Sequence, residues 1–207
     1  MKGTNVFLLD LISTHCFACI GALVALKARL NVWQVLAATM LTATGGGTIR
    51  DIFVTNELIF WLKNFDYLVA VGLAIPVAML LAKIDEYPPV LGHFVASAGT
   101  TVFIVVGTMA ALSGGFSLAG VVAVGLLTGI GGGMLRQLFL ESGFDVYRNA
   151  VDLAAALITA WLSSVFITSG MNPVLCVLLL CVHHTVLLAL ITHRCPACKL
   201  SGTLQKL

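Results

Sequence analysis

Charge is what this sequence has least of. Of its 207 residues, 10% are Asp, Glu, Lys or Arg, where a soluble domain carries about 25%. That scarcity excludes an ordinary soluble fold. The net charge is +2 and the basic residues form no patch, which excludes a nucleic-acid partner. Long polar linkers are missing too, so the chain reads as one unit. No Walker loop, Rossmann fingerprint, zinc-protease motif or nucleophile elbow occurs, and nothing in the sequence points to an enzyme or a cofactor. The six cysteines are Cys16, Cys19, Cys176, Cys181, Cys195 and Cys198. They lie mostly in or close after apolar runs and set up no secreted disulfide framework. Two pairs have C-x-x-C spacing, but Cys16 and Cys19 fall inside a span and Cys195 and Cys198 in the tail. Four thiolates so placed do not converge on one zinc ion, and no metal site is expected.

What the chain has instead is apolar length. It is 59% hydrophobic with a mean hydropathy of +1.05. Seven runs stand out, at 6–26, 32–54, 66–83, 91–112, 118–140, 150–169 and 173–192. Each is near the ~20 residues that cross a bilayer. Asn31 and Ser117 suit N-caps for the second and fifth. Pro88-Pro89 closes a connection, and Asn172-Pro173 sets a cap before a first-turn proline. Trp33 and Trp61 bracket the second run at interfacial depth, and Pro76 is expected to kink the third. The opening run is too long for a signal peptide.

A shift of 86 residues lays the first half of the chain on the second. Between positions 14 and 74, 17 of 61 residues are then identical. The informative matches are Thr14 with Thr100, Gly21 with Gly107, Thr42 with Thr128, Gly45, Gly46 and Gly47 with Gly131, Gly132 and Gly133, Arg50 with Arg136, and Asp66 with Asp152. Each copy holds three spans, an odd number, so the second enters from the opposite side. The expected fold is an all-α membrane protein of seven transmembrane helices. It forms a single transmembrane domain over 1–207, with inverted three-helix repeats at 6–86 and 91–170, a seventh helix at 173–192 and a tail at 193–207. Inverted repeats place a site near the midplane, at the repeat interface. Seven lysines and arginines fall on one side of the expected topology against two on the other. That bias puts the N-terminus outside and the C-terminus in the cytoplasm.

The glycine triplets carry the functional reading. Glycine is a weak helix former, so three in a row are expected to break helices two and five near the midplane. Carbonyls freed there must face protein or water, where they replace part of a cation's hydration shell. The bland alternative is close helix packing. Thr42 and Thr128, one turn earlier, add hydroxyl oxygens. Arg50 is neutralised by Asp51, whereas Arg136 is followed by Gln137 and reads as the less compensated charge and the better gate. Asp66 and Asp152 start the third and sixth spans, as helix caps or as partners of the arginines. Asp10 has no counterpart in the other repeat. His183-His184 point in different directions on a helix and suit packing better than metal binding.

Two three-helix repeats, a seventh helix and Gly-Gly-Gly-x-x-Arg in helices two and five make the chain resemble the prokaryotic trimeric intracellular cation channels. The resemblance runs to about residue 192. It implies a homotrimer in membrane lipid, with a hydrophilic pore in each protomer lined around the two glycine-bearing helices. The implied permeant ion is potassium, with sodium beside it. Two features depart from the family's pattern: Gln137 stands where Asp often does, and the Cys-x-x-Cys tail is no part of it. Related two-repeat proteins are described as glycine transporters. A secondary transporter of a small neutral solute is therefore the alternative function.

Overall fold

The computed structural model describes residues 4–54, 58–84, 89–140 and 146–194, with side chains over 6–54, 58–84, 94–140 and 150–190. Lys2, Pro88, Ser142, Cys195 and Cys198 lie outside the described residues, as do the side chains of Arg148 and Arg194. Everything described is helix or the short connections between helices. The helices are α1 (Thr4–Lys27), α2 (Val32–Val54), α3 (Phe60–Lys63), α4 (Asp66–Leu81), α5 (Pro89–Ser113), α6 (Leu118–Phe139), α7 (Val146–Thr168) and α8 (Pro173–Arg194). Among the described residues, five helices are long and apolar enough to cross a membrane: α1, α5, α6, α7 and α8. Glycine, threonine and the Arg50-Asp51 pair dilute α2, and α4 has 16 residues. The protein is an all-helical membrane protein.

Each expected apolar run falls on a helix. The sequence reading did not anticipate α3, a single turn between α2 and α4. The caps follow the expected residues. Asn31 Oδ1 accepts from Gln34 N–H at 2.9 Å while Asn31 N–H donates to Gln34 Oε1 at 3.1 Å, a reciprocal capping box. Ser117 Oγ accepts from Gly120 N–H, and Asn172 Oδ1 from Val174 N–H. The turns after α1 and α5 are built alike. Arg29 and Gly115, which the 86-residue shift matches, both have left-handed φ, 55° and 74°. Each begins a pair of backbone bonds that closes the preceding helix: Arg29 and Leu30 donate to Leu26 and Ala25, Gly115 and Phe116 to Leu112 and Ala111. This is the glycine-favouring helix stop, and Arg29 occupies it without glycine's freedom.

Two predicted features are corrected. Helical hydrogen bonding runs unbroken through Gly45–47 in α2 and Gly131–133 in α6. The triplets do not break their helices, because neighbouring helices bury them and their bare backbone is used for close approach. Asp66 and Asp152 do not cap helices. Asp66 is exposed in the first turn of α4, where Phe65 is the N-cap and no side chain caps the helix. The start of α7 at Val146 puts Asp152 more than a turn inside that helix.

Small residues dominate the core. Ala18, Ala22, Ala25, Ala38, Ala43, Ala74 and Ala78 are fully buried where α1, α2 and α4 meet. In lipid, close approach of backbones replaces the hydrophobic drive available in water. Buried threonines satisfy their hydroxyls within their own helix: Thr14, Thr39, Thr42, Thr101, Thr108 and Thr128 each donate to the carbonyl four residues earlier. This back-bonding leaves none of these six hydroxyl donors stranded in hydrocarbon.

Candidate functional site

The centre of the molecule is the crossing of α2 and α6. Gly46 lies on the Thr128 carbonyl so closely that any β-carbon would overlap it, and Gly132 lies on the Thr42 carbonyl in the same way. Gly45 approaches Leu135, while Ile49 approaches Gly131. Contacts thus descend α6 as they climb α2, and the helices run antiparallel. A second matched pair flanks the crossing. A β-carbon on Gly21 of α1 would stand 2.6 Å from Thr42 Oγ1, and one on Gly107 of α5 would stand 2.5 Å from Thr128 Oγ1. Thr42 and Thr128 are therefore each held between a glycine of the preceding helix and a glycine of the facing one. Phe17 and Phe103, also matched by the shift, stack with centroids 5.0 Å apart.

Thr42 and Thr128 are fully buried. Their hydroxyls donate at 2.6 Å to Ala38 O and Val124 O. Each oxygen keeps acceptor capacity but has no proton to spare. All of Gly45–47, Gly131 and Gly132 are buried, and Gly133 is half-buried.

One turn beyond its triplet, Arg50 is 6% exposed. Its Nε donates to Asp51 Oδ1 at 2.8 Å, the neutralisation the sequence predicted. Asp51 Oδ2 accepts the Phe60 N–H at 2.7 Å, which explains the position of α3: a buried carboxylate holds its first turn. The Phe60 ring stands under the Arg50 guanidinium, 5.4 Å from centroid to Cζ, and covers Gly47. Asp10 comes in from α1. Its Oδ1 is 4.0 Å from Arg50 Nη1, an ion pair without a hydrogen bond. Its Oδ2 accepts from Tyr67 Oη at 2.8 Å. Tyr67 meets Phe60 edge-on at 4.7 Å. Five side chains from four helices thus make one buried knot.

Arg136, Gln137 and Asp152 are half-buried, and each is engaged in an interaction. Asp66 is not among the partners of Arg50, which is met by Asp51 and Asp10. Sequence reasoning missed Tyr67 and Phe60, since neither has a matching residue in the other repeat. The signal available was Asp10, an unmatched acid inside a span that needs a partner. His184 is buried between α7 and α8, where its Nδ1 meets Thr159 Oγ1 at 2.8 Å, in keeping with a packing role. Cys19 and His15 link α1 to the α4 backbone through Ala74 O and Ala70 O. Among the described residues, no three His, Cys, Asp or Glu side chains group to hold a metal ion.

The sequence model of the family described as "Glycine transporter" matches residues 7–83 and again 93–168. The UPF0126 inner membrane protein YadS of Escherichia coli (strain K12) is 30% identical over 154 residues, 74% of this chain and 74% of that protein. A UPF0126 membrane protein of Deinococcus radiodurans is 31% identical over 160 residues, 77% of this chain and 74% of its own. Among solved structures, the chain is similar to the TRIC trimeric intracellular cation channel orthologue from Rhodobacter sphaeroides. The TM-score is 0.79 at 26% identity, over 90% of this chain and 96% of that one. A prokaryotic TRIC channel solved in 0.5 M KCl shares the fold with a TM-score of 0.79 at 21% identity, over 92% of this chain and 96% of that one.

Proposed function

The chain belongs to the glycine transporter family, and from that premise we propose that it is a monovalent cation channel, permeable to potassium above all. One observation carries the reading: the likeness, at 26% identity over 90% of the chain, to a trimeric intracellular cation channel. The path we assign follows the α2 and α6 crossing. It is lined by Thr42, Gly45, Gly46, Gly47, Thr128, Gly131, Gly132 and Gly133, and flanked by Arg50, Asp51, Arg136, Asp66 and Asp152. Two buried carboxylates against one guanidinium at the α2 end favour a cation over an anion. The close contact at the crossing is read as the shut state of this path, which opens when α2 and α6 slide apart.

The reading includes seven membrane crossings, two inverted repeats at 6–86 and 91–170, an added helix at 173–192 and a tail at 193–207, all in one transmembrane domain. The antiparallel crossing, the paired Gly46 and Gly132 contacts and the family's two successive matches support the inversion. It includes a homotrimer with a pore in each protomer, an inner-membrane location, and an N-terminus outside by the lysine and arginine bias. The second reading, transport of glycine, is favoured by the family's description. Purified protein in liposomes separates the two. Potassium or sodium flux down a gradient, without saturation in the millimolar range, supports the channel. Saturable glycine uptake with counterflow and no ion flux supports the transporter instead.

A further inference from the structure

Inside the spanning helices, the carboxylates of Asp10 and Asp51 face the single guanidinium of Arg50, and all three are buried. An unbalanced charge is costly there. The hydrogen bonds show which group is left over. Both oxygens of Asp51 are occupied, by Arg50 Nε–H and by Phe60 N–H. Asp10 has the Tyr67 hydroxyl on Oδ2, while its Oδ1 is buried without a hydrogen-bond partner. The Asp10 side chain is 9% exposed, and Arg50 Nη1 at 4.0 Å is too far to donate to it.

We propose that Asp10 is a proton-binding site, with Tyr67 as its positioning residue. A proton from bulk water binds the Asp10 carboxylate. The donor is hydronium: one of its O–H bonds breaks, one forms on Asp10, a water molecule is left in solution, and the knot goes from a net charge of minus one to zero. The Tyr67 hydroxyl serves both states. It donates to Oδ2 of the carboxylate and, with its O–H rotated, accepts from Oδ2–H of the acid. A metal ion is the poorer occupant, because it needs several oxygens converging at once and no such group exists among the described residues. The charged and titratable groups facing Asp10 are Arg50 and Asp51 from α2 and Tyr67 from α4. Among the described residues, α5 and α8 meet this part of α1 through a cluster packed around Val6 and Leu9, whose titratable members are the Cys176 and Cys181 thiols of α8. Ionised, Asp10 draws Arg50 toward α1. Neutral, it leaves Arg50 to Asp51, and α1 loses its charged tie to the helix that carries the first triplet.

The test is pH-difference infrared spectroscopy on the full chain in phosphatidylcholine vesicles, reading the C=O stretch of a protonated carboxyl. The expected result is a titrating band that is lost in Asp10→Asn and shifts in frequency in Tyr67→Phe. A wild type whose bands all persist in folded Asp10→Asn overturns the proposal. Should Asp10→Asn fail to fold, Tyr67→Phe decides: a spectrum identical to wild type overturns it. The reading needs no ion flux, so it stands or falls separately from the channel assignment.

Discussion

Arg50 and Arg136 occupy matched positions one turn beyond matched glycine triplets, yet their surroundings differ. Arg50 is buried among Asp51, Asp10, Phe60 and Tyr67. Arg136 is half-buried beside Gln137, and the 86-residue shift puts Ala96 at the place of Asp10 and Leu153 at that of Tyr67. The contacts at the crossing show no such difference. Gly46 and Gly132 touch each other's helix through the same threonine carbonyls, Gly21 and Gly107 press on the same threonine hydroxyls, and Arg29 and Gly115 close the same turn. The two halves share how helices approach and differ in where charge is stored. Packing at the crossing is thus a property of the pair, whereas Asp10 and Tyr67, which complete the buried ion cluster around Arg50, have no like residue at the matched positions.

The strongest way to break this comparison is at the crossing. Gly46→Ala and Gly132→Ala should each cost about 3 kcal/mol or more, because the added carbon meets backbone that cannot yield cheaply. Thermal unfolding in detergent should show equal losses. A tolerant Gly132→Ala beside a damaging Gly46→Ala would mean the crossing is not a matched pair. The charge difference is tested next. Arg50→Gln should cost about 3–5 kcal/mol, since it strands two buried carboxylates. Arg136→Gln, at a half-buried site, should cost about 1 kcal/mol, and equal losses by chemical denaturation would erase the distinction. The mildest test is at the turns. Arg29→Gly should raise stability by about 1 kcal/mol by relieving a left-handed non-glycine residue. Gly115→Arg should lower it by a similar amount, and a null result at both would mean that neither turn limits stability.

Much of this was legible in the sequence. The helices that hold the apolar runs, the 86-residue sequence match, the caps at Asn31, Ser117 and Asn172, and the Arg50-Asp51 pair all follow from local pattern or adjacency. The triplets are visible in the sequence, but the helix break expected of them does not occur. Helix propensity says that three glycines weaken a helix, yet the neighbouring helix decides whether it breaks. Gly46 and Gly132 meet a facing backbone that rewards a missing side chain, and no property of 45–47 taken alone reveals that partner. The knot around Asp10 was hidden for a different reason. Asp10, Arg50 and Tyr67 lie on three helices, far apart in sequence, and neither Asp10 nor Tyr67 is repeated. The shift that exposed the shared frame passes over whatever only one half possesses.

Single-channel recording of the purified wild-type chain in planar bilayers tests the central claim most directly. The account predicts discrete unitary currents in symmetric potassium chloride, with a reversal potential that moves toward the potassium equilibrium value when a gradient is imposed. Silent bilayers, from protein that takes up glycine saturably in vesicles of the same lipid, would contradict it.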